Sequence, residues 1–258
     1  MNQYASNTQL KNTAKDLMIG RYAQVILLFV LRGCIVLIAQ SVFTRITSQS
    51  LLLLKNSSIP FTPVVLYGAT YFISFLLSAL TQVFQVGFTL FFLSAAIGKP
   101  TERVSIFYGF FHDFGKSFSL SAIMTLISYL CTMPLEYIYQ TIRTTKSAAV
   151  LLNPVVMSCV AVGLIIWLYL SLGLSQCYFL LLDFPDYTVK QILSTSFKIM
   201  KGHKKRLLLL ETSFLHLLFL ECLTLGIGFL WVTPYMNMTY TLFFLDLMNP
   251  RKSEQTGE

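Results

Sequence analysis

Charged side chains are scarce in this chain: Asp, Glu, Lys and Arg together make up 12 % of its 258 residues, against about 25 % in ordinary soluble domains. With 55 % of the residues hydrophobic, that scarcity excludes a water-soluble fold, because one aqueous core cannot hide so much apolar surface. Gly/Ser-rich and Pro-rich linkers are also missing, so residues 1–258 read as a single integral membrane domain. The arrangements that carry chemistry are absent too. There is no His-Glu-x-x-His motif, no phosphate-binding glycine loop and no Glu pair with a downstream His. His112-Asp113 and His203 stand apart from other ligating residues, and the five cysteines show no metal or redox spacing. The sequence therefore predicts no catalytic residue, no cofactor and no metal site, and a non-enzymatic protein.

Long apolar segments dominate what is present. A hydrocarbon core of about 30 Å needs roughly 20 helical residues, and the segments Tyr22 to Phe43, Val64 to Ile97, Phe118 to Tyr139 and Val155 to Leu182 meet that need. Leu207 to Leu223 and Phe229 to Leu247 complete an apparent hairpin that turns at Thr224-Leu225-Gly226-Ile227-Gly228. The fold class that follows is all-α, a polytopic transmembrane bundle of about six helices. The second segment exceeds a straight crossing and must tilt, protrude or break near Gly68 or Gly87. Pro234, Asn237, Thr239 and Asp246 make the last segment the weakest crossing.

The net charge is +8, from 19 basic and 11 acidic residues, and its distribution argues for a membrane surface rather than nucleic acid. Lys11, Lys15 and Arg21 precede the first apolar segment, and Lys99, Arg103 and Lys116 lie in the second loop. The fourth loop holds Lys190, Lys198, Lys201, Lys204, Lys205 and Arg206, and the tail Arg251 and Lys252. The opposite loops hold only Arg45, Lys55, Arg143 and Lys146. Positive loops stay in the cytoplasm, so both termini are expected there, in a cell (cytoplasmic) membrane. Within the fourth loop, Val189, Ile192, Leu193, Phe197 and Met200 recur at three- and four-residue spacing. That pattern predicts a cytoplasmic interfacial amphipathic helix before the fifth crossing. Its Lys198, Lys201, Lys204, Lys205 and Arg206 are candidate contacts for anionic headgroups.

Polar residues inside the apolar segments supply the remaining candidates. Ser74, Ser78, Thr81, Gln82, Gln85 and Thr89 form a stripe on the second segment, Ser121, Thr125, Ser128 and Thr132 on the third, and Ser171, Ser175 and Tyr178 on the fourth. Such stripes line a polar pathway or let helices pack closely, and both readings stay open. Arg32, Glu211 and Glu221, with Gln82 and Gln85, make the candidate intramembrane polar or ionic site. Arg32 is expected to pair with one of the two carboxylates, in a structural lock or an ion-coupled site.

The C-terminal third carries a recognisable set of motifs: Met200-Lys201-Gly202-His203-Lys204, Glu211-Thr212-Ser213-Phe214, Leu223-Thr224-Leu225-Gly226-Ile227-Gly228, Leu230-Trp231, Pro234-Tyr235 and Thr239-Tyr240. With Leu10-Lys11-Asn12-Thr13-Ala14-Lys15, Gly20-Arg21-Tyr22 and Gly109-Phe110-Phe111, these span most of the chain. It resembles an uncharacterised multi-pass membrane family of Gram-positive bacteria, domain of unknown function nine-seven-five. The fourth helix departs from that pattern at Ser171-Leu172-Gly173-Leu174. The resemblance implies a bacterial cytoplasmic membrane and implies no activity.

Two functional readings follow. One is a membrane-embedded accessory or interaction factor in the cell envelope, with anionic lipid and another membrane protein as its partners. The other is a small carrier or channel with a polar intramembrane pathway, against which stands the lack of paired broken helices in the sequence pattern.

Overall fold

The computed structural model describes residues 4–55, 62–100, 106–145, 149–224, 226 and 228–249. Arg103, Lys146, Arg251 and Lys252 of the charge distribution, and Leu225 and Ile227 of the hairpin turn, lie outside them. All regular structure among the described residues is helical.

A short amphipathic helix, α1 (Asn7–Met18), comes first. A capping box between Ser6 and Gln9 starts it, and it buries Leu10, Ala14 and Met18 on one face. Helix α2 (Tyr22–Lys55) and α3 (Thr62–Ala96) follow, then the single turn α4 (Tyr108–Phe111) and α5 (Phe114–Thr145), which carries Pro134. Asn153 caps α6 (Pro154–Leu174) with Pro at its first turn. Beyond it lie α7 (Cys177–Asp183), α8 (Val189–Ile199), α9 (Lys204–Thr212), α10 (Leu215–Leu223) and α11 (Phe229–Met248).

Four stretches are long and apolar enough to cross a membrane: Tyr22–Ser48, Gly68–Ala96, Phe114–Ile142 and Pro154–Asp183. In the first, third and fourth the apolar side chains point largely outward, with Leu37 70 % and Ile165 68 % exposed, as a bundle solvated by lipid requires, whereas half of Gly68–Ala96 is buried. The fifth expected crossing is not one helix. It breaks at Ser213 and Phe214 into α9 and α10, nine residues each, and each half spans only about 14 Å at 1.5 Å per residue. Phe214 causes the break: its ring is fully buried with Leu10, Leu207, Leu210 and Phe243, and Lys11 lies 4.3 Å above it.

Helix α3 runs through the centre, touching α2, α4, α5, α7 and α11. It continues unbroken past Gly68 and Gly87. Gly87 serves a close approach instead, because a Cβ there would strike the Ile106 backbone, while a Cβ on Gly109 would meet Val83 and Val86. These two glycines let residues 106–111 lie flat on α3, where Phe107 and Phe110 pack against Phe84. That stretch is therefore half core: Ile106 is buried while Phe111 is 75 % exposed.

Helix α8 forms where its periodicity predicts, started by a Thr188/Gln191 capping box. Its apolar face lies on the protein itself. Ile192 and Met200 are fully buried, Ser196 donates to Gly173 O at 2.7 Å, and Phe197 occupies the space a Gly173 side chain would need.

Candidate functional site

Two of the crossings expected to be continuous are interrupted, and both interruptions flank one polar cavity. Between α6 and α7 the chain turns at Ser175 and Gln176; between α9 and α10 it turns at Ser213 and Phe214. The expectation that no paired broken helices exist is thus corrected. The cause is tertiary, since the packing of Phe214 and the burial of Gln176 leave no local signature as strong as a proline.

The cavity has a volume of about 120 Å³. Its polar wall consists of Gln85 and Thr89 from α3, Ser175, Gln176 and Tyr178 at the first break, Glu211 from α9, and Asn237, Tyr240 and Thr241 from α11. Phe92, Phe179 and Leu207 close it. Thr89, Glu211 and Tyr240 lie seven or eight residues from the Ala96, Lys204 and Met248 ends of their helices, which places the cavity about 10 Å in from those ends at 1.5 Å per residue.

Those helix ends share one face. Arg21 Nη1 donates to Ala95 O at 3.1 Å, Lys116 Nζ to Pro185 O at 2.5 Å, and Arg206 Nη2 to Ala5 O at 2.7 Å. The loops rich in Lys and Arg therefore gather at the end of the bundle nearest the cavity.

Most of the wall's donors are already committed. The Thr89 hydroxyl donates to Gln85 O at 2.8 Å, that of Thr241 to Asn237 O at 2.9 Å, and that of Ser175 to Leu172 O at 2.9 Å. Asn237 Nδ2 donates to Thr233 O at 2.9 Å, and Gln176 Nε2 to Ser175 Oγ at 2.8 Å. Gln176 is only 2 % exposed, yet its Oε1 has no partner. The Glu211 carboxylate makes no hydrogen bond or ion pair among the described residues.

The expected site residues divide. Gln85 and Glu211 line the cavity, and Gln82 stands beside it, accepting a long 3.5 Å bond from the Tyr178 hydroxyl, which also meets Ser121 Oγ at 3.4 Å. Arg32 does not join them. Its guanidinium lies 5.4 Å over the Phe88 ring, within electrostatic reach of Tyr178 on the cavity wall, and forms no ion pair with Glu211 or Glu221. Glu221 sits on α10 beside the Gly228 turn, with Oε1 buried and unpartnered. Gln176, Asn237, Tyr240 and Thr241 were not legible as site residues; a Gln within an apolar run was the one available signal.

The basic candidates divide as well. Lys198, Lys201 and Lys205 are exposed, whereas Lys204 Nζ sits 3.4 Å from the Tyr169 ring centroid and 4.8 Å from that of Phe197. Arg206, expected at the lipid surface, is turned inward to an ion pair with Asp246 at 2.5 Å. The Asp246 carboxylate also accepts the Ala5 N–H through both oxygens at 3.1 and 3.2 Å. Nearby, Tyr4 meets the His203 ring edge-on at 4.7 Å. Burial, with the Arg206 charge beside it, holds the His203 imidazole below its ordinary value, and Asp246 opposes this. Lys11 Nζ donates to Ser213 O at 3.1 Å, placing a cation at the C-terminal end of α9. Burial lowers the pKa of that ammonium group.

Among the described residues no three His, Cys, Asp or Glu side chains converge as a metal cluster. The family described as protein of unknown function (DUF975) matches residues 1–251. No curated protein and no solved structure matches the chain.

Proposed function

The chain belongs to the DUF975 family of proteins of unknown function, and from its own residues we propose that it is a non-enzymatic membrane carrier or channel for a small polar solute. The observation that carries this reading is the cavity between two interrupted helices. A bundle serving only as a scaffold would fill that space with apolar side chains, since unpaired polar groups away from water are costly. Discontinuous helices that meet at a polar cavity are the usual construction of transporter binding sites. The protein works in a bacterial cytoplasmic membrane with both termini in the cytoplasm, so that solute enters from the basic end.

The test is water access to the cavity. In a variant whose native cysteines are replaced by Ala or Ser, Thr241→Cys should react with a membrane-impermeant thiol reagent in inside-out vesicles and resist it in right-side-out ones. No reaction from either side would mean a dry bundle and sink the carrier reading.

An accessory role toward another membrane protein is the second reading, favoured by the exposed Lys190, Lys198, Lys201 and Lys205 at the basic end. The same lysines suit anionic headgroups.

A further inference from the structure

The cavity wall carries donors in the Gln85 amide and the Tyr178 and Tyr240 hydroxyls, but several of its other polar groups present only oxygen acceptors. The Ser175 hydroxyl hydrogen is committed to Leu172 O, so its oxygen must accept from Gln176, which fixes the Gln176 amide with Nε2 on Ser175. The carbonyl end, Oε1, is left without a partner in a side chain that is 2 % exposed. Asn237 is fixed in the same way: Thr233 O can only accept, so Nδ2 faces it and Oδ1 is the remaining end. Thr89 and Thr241 give their hydrogens to helix carbonyls and keep oxygen lone pairs for the cavity. Glu211 adds a carboxylate on the same wall.

No Lys, Arg or His lines the cavity. Of the basic groups around it, Lys11 donates to Ser213 O, Arg206 pairs with Asp246, and Arg32 lies over Phe88 within electrostatic reach of Tyr178 on the wall. Acceptors outnumber available donors, and Glu211 has no ion-pair partner among the described residues. A carboxyl group away from water either keeps its proton or takes a counter-ion.

We propose that this cavity binds a single monovalent cation, held by the Glu211 carboxylate and by the amide oxygens of Gln176 and Asn237, with the Thr89 and Thr241 hydroxyl oxygens around it. The inference rests on the solute-binding reading above and names its substrate class. Oxygen donors without sulfur or imidazole select hard cations. One carboxylate neutralises one charge, whereas a divalent ion would leave a net charge in a low-dielectric site. The volume of about 120 Å³ leaves room for a small ion with several waters, each of which needs roughly 10–15 Å³ of such space.

Thermal unfolding of the full-length protein in detergent tests this, with sodium, potassium and ammonium chloride compared against N-methylglucamine chloride at equal ionic strength. At least one small cation should raise the unfolding temperature saturably, by about 3 °C or more, and the three arms identify which. Glu211→Gln should abolish the rise. If that variant does not fold, Asn237→Ala should shift the half-saturating concentration upward by about tenfold, the loss of one good ligand. Identical unfolding temperatures in all four salts, or an unchanged response in both variants, overturn the proposal. Labelled Thr241→Cys combined with salt-independent unfolding overturns the cation and leaves a hydrated pocket for a neutral solute; unlabelled Thr241→Cys with salt-independent unfolding removes both readings.

Discussion

Arg206 and Asp246 join the start of the chain to its last helix. The guanidinium of Arg206 bridges Asp246 Oδ2 and Ala5 O, and the same carboxylate receives the Ala5 N–H. The side chains are 18 % and 9 % exposed, so neither charge is free to hydrate when the other is removed. Asp246→Ala should cost about 3 kcal/mol in detergent unfolding. Arg206→Met combined with Asp246→Leu should recover more than half of that loss. If the double variant is as unstable as the single one, the pair does not hold α1 to α11.

Arg32 should behave in the opposite way. It faces the Phe88 ring rather than a carboxylate, so Arg32→Met leaves no buried acid unpaired and should cost about 1 kcal/mol, the range of a cation–π contact. A loss as large as that of Asp246→Ala would show that Arg32 carries an ion pair after all.

Two glycines of α3 provide a matched comparison. Gly87→Ala should lower stability by about 1 to 3 kcal/mol through overpacking against the Ile106 backbone. Gly68 has nothing within 4 Å of an added Cβ, so Gly68→Ala should raise stability by up to about 1 kcal/mol from helix propensity. Equal effects at the two sites would show that residues 106–111 do not lie on α3.

Acid should loosen the N-terminal contacts through His203. Its folded pKa lies below the ordinary imidazole value of 6.5, so the folded state binds fewer protons than the unfolded one. Its contribution is complete above the unfolded value and is lost as pH falls from about 6.5 through the depressed folded value. Arg206, Asp246 and Tyr4 face the imidazole. His203→Gln should flatten the part of the pH–stability curve just below pH 6.5, as measured by unfolding in a pH series; an unchanged curve assigns the slope to another group.

The exposed lysines of the basic end make a lipid prediction. Changing Lys190, Lys198, Lys201 and Lys205 to Gln should weaken retention of phosphatidylserine during detergent exchange, by about 1 kcal/mol per residue at low salt. Retention of neutral lipid should not change. Loss of both lipids alike would mean that these residues act through the fold and not through headgroup charge.

The sequence by itself determined the solvent of this protein and the faces of its helices. Apolar length located the four spanning stretches, and the three- and four-residue spacing of Ile192 and Met200 located the buried side of α8, because these signals are periodic and local. Only the tertiary structure decided what each polar face meets. Glu211 was legible as a costly residue within an apolar run, but its place opposite Gln176 and Asn237 depends on where α9 stops, and α9 stops because Phe214 enters a pocket built by Leu10 and Phe243. Arg206 and Lys198 look alike as basic residues beside an apolar segment. One is turned inward by Asp246, forty positions away, and the other reaches solvent, because an ion pair is a property of two helices brought together and leaves no pattern within either.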